Sequence, residues 1–459
     1  MVCPTRPQQR TLTVRRAVVA GAGVAGLTAA LLLRRAGLEV ALHEAADAGG
    51  GLLRPVRFRG VDCDLGSHRI HPDALREPVL AELAGPAEFV ARPRRGRIVL
   101  GGRLLPYPLS LPSLLAGLGA RRAWSFAGSL LRRPRAWAAW ERDRTASGPP
   151  GQQGDAGFAA FVVARAGQAA YDAFYRPYAE KVWGIDPAEL SQSVAKARVA
   201  SDRPLCHLAR TLGTARAGTY LYPRRGMAGL LGALTAQVRA AGVVVQCGAP
   251  VGRDVDTDVL VHTGHLAARL DATGADNTRH LAHRGVYLLF VALPGAPCGE
   301  VETFYVPERQ FWFGRVGVVG NYSPQQGAPG ETVLCLEIPE GCWGPGRDFR
   351  AHVPELMEQL VRARILARPL PVRECTQRFE PAVYPLQRRG WQAVWADAMA
   401  AATADGRTWP VGRQGLWLHC NLDHAMATAR RAVQSVVTGG DARGWPAVAA
   451  GLLGATVRD

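Results

Sequence analysis

A glycine-rich turn near the start of the chain constrains the fold more than any other feature of the sequence. Residues 21–26 read Gly-Ala-Gly-Val-Ala-Gly and directly follow the apolar residues 17–20. Such an apolar run predicts a buried parallel strand, and the glycines predict a sharp turn into a helix. In a turn of this kind Gly21 permits the tight bend, Gly23 lets the backbone approach a pyrophosphate, and Gly26 lets the helix pack closely on the sheet. The turn therefore predicts a dinucleotide-binding site.

The residues that follow complete a strand–helix–strand unit. The helix is predicted to run to about Ala36, because Gly37 occupies the position of a helix C-terminal glycine. A second apolar strand, 40–43, ends at Glu44, which stands 21 residues after Gly23. An acid at this distance is placed to accept hydrogen bonds from the ribose hydroxyls of an adenosine. The helix N-terminus would meet the pyrophosphate with free N–H groups and a favourable dipole.

The composition indicates a folded chain with more than one domain. At 459 residues the chain exceeds the size of a single hydrophobic core, and its 48% hydrophobic content excludes a disordered or collagen-like protein. The formal net charge is +17, but among 55 basic residues only Lys181 and Lys196 are lysines. We interpret this uniform arginine bias as the coding composition of a genome, and we expect no nucleic-acid partner. The charge still favours anionic small molecules over cationic ones.

The cysteines indicate a reducing compartment. Nine are spread from Cys3 to Cys420 without a Cys-x-x-Cys pair, which argues against a disulfide framework and against a metal site. The apolar stretch Ala17–Leu33 follows two arginines, as in an export signal or a short membrane span, but three glycines divide it into a strand and a helix. We therefore expect a cytoplasmic protein without an integral membrane span.

Residues 121–144 allow two interpretations. Arginines alternate there with Trp124, Trp137 and Trp140, and Pro134 interrupts the segment. Short helices of this composition could make a peripheral contact with a membrane interface. We favour the alternative, a pair of helices in a substrate domain with a solvated basic face.

The run 44–52, Glu-Ala-Ala-Asp-Ala-Gly-Gly-Gly-Leu, resembles the Glu-Ala-x-x-x-x-Gly-Gly extension of the flavin amine oxidase clan. That clan includes protoporphyrinogen oxidases, phytoene desaturases and UDP-galactopyranose mutases. The resemblance implies that the cofactor is FAD, with the backbone amides of Gly50 and Gly51 against its diphosphate and ribityl chain. The arginine usual in this extension is Ala48 here, which implies one contact fewer. No second Gly-x-Gly-x-x-Gly follows downstream, so we expect no separate NAD(P)H-binding domain.

Further blocks resemble the clan in the same order along the chain. Residues 64–72 resemble an element whose backbone passes close to the flavin ring, and residues 97–109 resemble a pair of strands with Gly-Arg and Tyr-Pro-Leu. Residues 174–190 resemble an element shared by galactopyranose mutases and bacterial protoporphyrinogen-oxidase-like proteins. Residues 222–227 open a helix that leads to a strand and then to Val251, whose backbone position pairs with adenine in the clan.

The last block, residues 412–425, resembles the clan's closing motif, Gly-Arg-x-Gly followed by Asn-x-Asp-x-Ala. The resemblance implies a strand, 416–420, that runs into a helix whose N-terminus faces the flavin or the pyrophosphate. His419 would then be a core residue of that strand. The glycine that the clan often places inside this helix is Ala429 here.

The resemblance implies a mixed α/β fold, with a Rossmann-type FAD-binding domain interrupted by an inserted substrate domain. We predict that residues 1–80, 215–275 and 370–459 form the FAD-binding domain. Residues 81–214 and 276–369 would form the substrate-binding domain.

Two groups of cofactor-binding residues are predicted, the first by the glycine turn and its distal acid and the second by the resemblance. Together they are Gly21, Gly23, Val24, Ala25, Gly26, Glu44, Ala45, Gly50, Gly51, Leu52, Gly66, Ser67, His68, Val251, Gly412, Asn421, Leu422 and Asp423.

Flavin sites need little acid–base apparatus because the ring itself takes the electrons, so few catalytic residues can be predicted. The candidates are His68, which could equally be a structural histidine, and Arg315. Arg315 matches an arginine of the mutases that reaches the substrate diphosphate, and Arg198 lies near the position of a second one. Two such guanidiniums could clamp an anionic or nucleotide-linked substrate, unless both are ordinary surface arginines. Tyr384 matches a tyrosine of the mutases' substrate site.

Three functions remain open at this point. The first is an FAD-dependent oxidase or desaturase, similar to protoporphyrinogen oxidase, that takes two electrons from a C–N or C–C bond of a small organic substrate. The second is a non-redox mutase that contracts the ring of a nucleotide sugar with reduced flavin. The third is a flavin-binding protein without turnover. Serine-nucleophile and metal-protease motifs are absent from the sequence, so a hydrolase has the least support.

Overall fold

The computed structural model of the protein describes residues 15–107, 124–126, 128–129, 132–145, 155–196, 218–252, 254–271, 278–327 and 329–452. The predicted substrate-binding residue Arg198 lies outside the described residues, as does part of the segment 121–144. The fold is mixed α/β, as predicted, and contains one parallel sheet and one largely antiparallel sheet.

The strands of the described residues are β1 (Arg16–Ala20), β2 (Glu39–His43), β3 (Val56–Phe58), β4 (Val61–Cys63), β5 (Phe89–Pro93), β6 (Arg97–Leu100), β7 (Arg103–Pro106), β8 (Thr219–Pro223), β9 (Val244–Gln246), β10 (Val259–His262), β11 (His283–Pro294), β12 (Thr303–Tyr305), β13 (Arg315–Val318), β14 (Glu331–Pro339), β15 (Glu374–Pro385) and β16 (Thr408–Pro410). The α-helices of at least four residues are Val24–Arg35, Pro78–Ala84, Arg133–Thr145, Phe158–Ala166, Arg176–Trp183, Gln192–Lys196, Gly226–Ala240, Leu266–Asp271, Val319–Tyr322, Val353–Arg362, Trp391–Ala402, Gly412–Gly415, Leu422–Val437 and Trp445–Ala450.

The first sheet has five parallel strands in the order β16-β10-β1-β2-β9. Its central strand β1 is apolar because both faces are covered, and Val19 is fully buried between Leu42 on β2 and Val261 on β10. The helices Val24–Arg35 and Leu422–Val437 pack against each other beside this sheet. The predicted strand–helix–strand unit at the start of the chain is therefore confirmed.

The second sheet has seven strands in the order β15-β11-β14-β13-β12-β6-β7, and all neighbours are antiparallel except β12 and β6. The helix Val353–Arg362 packs its apolar face on the sheet through Leu356 and Leu360. Strand β15 pairs with β11 along most of its length, although the predicted boundary at residue 370 places β15 in the FAD-binding domain. That boundary therefore differs from the strand pairing, and the division into two domains stays a prediction.

The predicted strand 416–420 is wrong. The strand of this region is β16, which pairs with β10 and ends at Pro410, and a short helix, Gly412–Gly415, follows it. Residues 416–420 then form a turn and an extended loop, so that His419 lies on no strand. These residues are apolar because Leu416 and Trp417 are buried under the helices around the first sheet, and their burial imitates the pattern of a strand.

The described part of segment 121–144 contains the helix Arg133–Thr145, which packs on the helix Phe158–Ala166. Trp140 is buried with its ring edge-on to Phe161, whereas 72% of Trp124 is exposed. The guanidinium of Arg165 lies 3.9 Å from the centre of the Phe161 ring. A peripheral membrane contact of this segment stays a prediction. Among the described residues, no helix combines the length and the apolar character that crossing a bilayer requires.

Candidate functional site

A cavity of about 550 Å³, here called the first cavity, opens at the carboxyl ends of the parallel strands. Ala20, His43 and His262 end the strands β1, β2 and β10, and all three line the cavity. This edge of an open parallel sheet is where α/β folds bind their ligands. The strand order thus places the cavity where the glycine turn predicts a dinucleotide.

Most of the predicted cofactor-binding residues line the first cavity. They are Gly21, Gly23, Val24, Ala25, Glu44, Ala45, Gly50, Gly51, Leu52, His68, Val251, Gly412, Asn421 and Leu422.

The other four predicted residues lie elsewhere. Gly26 is buried, and a Cβ on it would lie 1.8 Å from the carbonyl oxygen of Gly21, so its role is helix packing. Ser67 lines a second cavity, and Asp423 lines a neighbouring polar one. Gly66 packs against a carboxylate of the second sheet, at 3.1 Å from an added Cβ. Contact of all these residues with FAD stays a prediction.

The two glycine loops approach each other at the mouth of the helix Val24–Arg35. A Cβ on Gly51 would lie 3.4 Å from the Cα of Gly23, and Gly50 donates its N–H to the carbonyl of Ala22 at 2.8 Å. Gly50 and Gly51 both have a positive φ, which glycine adopts without strain. The helix has no side-chain cap at Gly23, so its first N–H groups are free for an anion.

Glu44 is held in place by backbone donors. Its Oε2 accepts the N–H of Ala22 at 2.8 Å, and its Oε1 accepts the N–H of Ala46 at 2.9 Å. Each carboxylate oxygen has a second lone pair, so Glu44 can still accept hydrogen bonds from a ribose.

The first cavity fits a polar, phosphate-bearing ligand such as FAD. Nδ1 of His262 and Nδ1 of His68 are buried and have no hydrogen-bond partner among the described residues. Buried polar atoms are normally satisfied, and a polar ligand would satisfy these. Burial lowers the pKa of His262 to about 4, so this histidine is neutral at pH 7.

A second cavity of about 180 Å³ adjoins the first and reaches the second sheet. Its walls include Val286 and Leu288 on β11 together with Tyr384 on β15 and Arg315 on β13. Seven residues line both cavities and define the place where they meet, which we call the junction: Leu52, Leu53, His68, Arg413, Cys420, Asn421 and Leu422.

Arg315 lines the second cavity, and two of its N–H groups are bound within the protein. Its Nε donates to Oε1 of Glu337 at 2.7 Å, and its Nη2 donates to Oε2 of the same carboxylate. The N–H and the hydroxyl of Ser67 donate to Oε1 of Glu337 as well, at 3.0 and 3.1 Å. Glu337 thereby neutralises the charge of Arg315 and fixes the loop that carries His68.

Sequence reasoning missed Glu337. Its signal is a single acid inside the apolar run 333–338 of β14, which is unusual for a buried strand. Its partner depends on the register of β13 and β14, in which Arg315 stands directly opposite Glu337.

His68 occupies the junction as a neutral imidazole. Burial, assisted by the nearby charge of Arg315, lowers the pKa of His68 to about 4. Tyr384 and His419 complete an aromatic wall around Trp183, with ring centres 5.6 and 5.2 Å from it. The candidate residues His68, Arg315 and Tyr384 therefore share one small, partly aromatic cavity.

Comparison with known proteins identifies the family. The family model described as flavin containing amine oxidoreductase matches residues 24–262. Hydroxyneurosporene desaturase of Rubrivivax gelatinosus is 49% identical over 55 residues, which are 12% of this chain and 10% of the desaturase. The chain thus spans about a tenth of the length of this curated relative.

Solved structures share the fold over nearly the whole chain. A reduced UDP-galactopyranose mutase is 20% identical, with 96% of this chain and 99% of the mutase covered and a TM-score of 0.78. A structure assigned as a protoporphyrinogen oxidase from Exiguobacterium sp. 255-15 is 18% identical, with 93% and 99% covered and a TM-score of 0.68. The chain belongs to the flavin containing amine oxidoreductase family, whose cofactor is FAD.

Proposed function

We propose that the protein is an FAD-dependent oxidoreductase that takes two electrons from a C–N or C–C bond of a small organic molecule bound in the second cavity. The observation that carries the proposal is the junction, where this cavity opens directly onto the first one. When bound, FAD supplies the acceptor for the two electrons. The chain supplies orientation and a partly dry site, in which Val286 and Leu288 exclude water from one side of the substrate.

His68 is proposed to orient the substrate by a hydrogen bond rather than to take a proton from it. Oxidation of an amine to an imine removes a hydride from the carbon next to nitrogen and a proton from the nitrogen, and a neutral imidazole at the junction can accept a hydrogen bond from that N–H. The low pKa of His68, about 4, keeps the imidazole neutral at physiological pH, at the expense of basicity. We therefore expect His68 to act chiefly as a hydrogen-bond partner that orients the substrate.

The substrate is proposed to carry at most one anionic group near Arg315. Glu337 already accepts the Nε–H and one N–H of Nη2 and balances the charge of this arginine, so only the fork formed by Nη1 and Nη2 is left for a substrate. A single substrate carboxylate or phosphate could receive hydrogen bonds from Nη1 and from the second N–H of Nη2. The predicted clamp with Arg198 stays a prediction, since Arg198 lies outside the described residues.

We also propose a cytoplasmic location. The support is chemical: the described cysteines, Cys63, Cys247, Cys298, Cys335, Cys342, Cys375 and Cys420, all carry free thiols.

The experiment that tests the proposed reaction is anaerobic mixing of the FAD-loaded protein with a panel of amines and of compounds with a saturated C–C bond next to an activating group. Bleaching of the flavin absorbance by a panel member, with release of the two-electron oxidised product, is the expected result. A panel that leaves the absorbance unchanged, in a protein that dithionite reduces readily, would contradict the proposal.

A mutase reaction is the second candidate, because Arg315 and Tyr384, both matched to the mutases, line the same cavity. In that case a UDP-hexose should isomerise only after dithionite has reduced the flavin, without net oxidation of the sugar. The pairing of Arg315 with Glu337 makes this the weaker of the two candidates.

A further inference from the structure

We infer that Arg413 holds an unbalanced positive charge beside the redox-active ring of FAD and thereby stabilises the negative charge of the reduced ring. The inference rests on the proposed function, because it takes the ring to lie at the junction of the two cavities. A ring that exchanges electrons with a substrate in the second cavity must lie there, and Arg413 lines both cavities.

Each of the other three arginines that line these cavities has a carboxylate partner. Arg69 pairs with Glu302 at 2.9 Å, and Arg269 pairs with Asp405 at 3.0 Å. Arg315 pairs with Glu337, as described above. Arg413 has no carboxylate within 4.0 Å among the described residues.

Neutral carbonyls hold Arg413 in place. Its Nε and Nη2 donate to the carbonyl of Cys420 at 3.1 and 2.6 Å, and its Nη1 donates to the carbonyl of Val383 at 3.2 Å. Carbonyl oxygens fix the plane of the guanidinium but do not cancel its charge. The protein therefore positions a full positive charge at the junction and leaves its balance to a bound group.

The backbone of Gly412 brings this arginine to the cavity. Gly412 has a φ of +76°, and a Cβ on it would lie 2.8 Å from the Cβ of Ala25 in the first helix. Its N–H donates to the hydroxyl of Thr428 at 2.9 Å. Glycine is needed here for the close approach, and the approach presents the next side chain to the junction.

The chemistry of FAD gives the charge a function. Uptake of two electrons and one proton by oxidised flavin leaves one negative charge on the reduced ring, and a nearby cation stabilises that form. Arg413 should therefore raise the reduction potential of bound FAD and keep the reduced ring from taking up a second proton.

The test compares the midpoint potential of FAD bound to the parent protein, to Arg413→Met and to Arg413→Lys. We expect Arg413→Met to lower the midpoint potential by at least about 30 mV. For a two-electron couple this is a tenfold decrease in the ratio of reduced to oxidised flavin at a fixed potential. Arg413→Lys, which keeps the charge, should shift it less. The control is Arg407→Met, because Arg407 also donates to two carbonyls, those of Val255 and Thr257, but lines neither cavity and pairs with Asp405 at 3.7 Å.

A measurement on the parent protein covers the case in which Arg413→Met fails to retain FAD. At mildly acidic pH, free FAD takes up two protons with two electrons. For the bound flavin, the pH dependence of the potential should correspond to the uptake of only one proton with two electrons. Uptake of two protons would overturn the inference, as would an unchanged potential in Arg413→Met. A parent protein that holds no FAD at all would instead refute the proposed function.

Discussion

Gly23 matters through the side chain that it lacks. A Cβ on this residue would meet nothing closer than the Cα of Gly51, at 3.9 Å, so a larger side chain would extend into the first cavity. The neighbouring Gly21 and Gly26 are different, because an added Cβ would come within 2.2 and 1.8 Å of protein atoms. The three glycines of the motif therefore divide into one that makes room for a ligand and two that allow the chain to fold.

Replacing Gly23 by valine should abolish FAD binding while the protein still folds. The isopropyl group would occupy space that the pyrophosphate needs, and its Cβ would have no protein neighbour closer than 3.9 Å. The measurement is the ratio of flavin to protein absorbance after purification, together with the circular dichroism spectrum. Gly85→Ala is the control, because an added Cβ there has no neighbour within 4 Å among the described residues. FAD at the parental ratio in Gly23→Val would refute the placement.

Arg315 and Glu337 should behave as one unit in stability measurements. Removing either partner alone leaves a buried charge without its counter-ion, which typically costs about 3–5 kcal/mol. We expect Arg315→Met and Glu337→Met each to lower the free energy of unfolding by an amount in that range. The double variant should lose clearly less than the sum, as measured by urea unfolding of all four proteins. Additive losses would show that the pair is not coupled.

Among the elements, those with a local signal were predictable. The strand β1 and the helix after it follow from an apolar run and from the glycines that bound it, whereas the helix Gly226–Ala240 was expected only from the resemblance. The region 416–420 was not, because its apolar residues face a tertiary core that is built by distant helices. In the candidate site, the lining by Gly21, Gly23 and Glu44 was predictable from spacing. The partner of Arg315 depends on the pairing of two strands, which no local pattern encodes.

Lys181 links a helix to a segment beside the second sheet. Its Nζ donates to the carbonyls of Val306, Glu308 and Phe313 at 2.8, 2.6 and 3.1 Å, and so ties the helix Arg176–Trp183 to the segment between β12 and β13. Lys181→Met should destabilise the protein by about 1–3 kcal/mol for each carbonyl left buried without a donor. Lys196→Met, at the exposed second lysine, should cost less stability than Lys181→Met. Equal thermal stability of the two variants would contradict the role of Lys181.

For the whole molecule, buried titratable groups predict how stability depends on pH. Burial lowers the pKa of His68, His262 and His283 to about 4, and burial raises the pKa of Asp64 to about 6. Between those two values the unfolded chain binds about three more protons at the histidines, and the folded protein binds about one more at Asp64. The net difference is about two protons in favour of the unfolded chain, so stability should fall as the pH is lowered.

From these four groups the expected slope is about 2–3 kcal/mol per pH unit between about pH 6 and pH 4.5, and His265, whose pKa burial also lowers, contributes in the same direction. Urea unfolding at several pH values in this window measures it. Replacing His262 by glutamine removes one of the three histidines that take up a proton on unfolding. The slope in that variant should therefore be smaller by about 1.4 kcal/mol per pH unit, the contribution of one proton. A free energy of unfolding that stays constant over the window would contradict the burial of these groups.

The chain order of the first cavity has a consequence for biosynthesis. Its wall combines Gly21 and Glu44, near the start of the chain, with Gly412 and Leu422, near the end, and the edge strand β16 joins the sheet late. Because a ribosome releases the chain from its N-terminus, no nascent chain can enclose FAD before residue 422 has emerged. The cavity can therefore enclose FAD only after most of the chain has been synthesised. In a cell short of flavin, we expect the finished polypeptide to accumulate with an open cavity and to be removed by proteolysis.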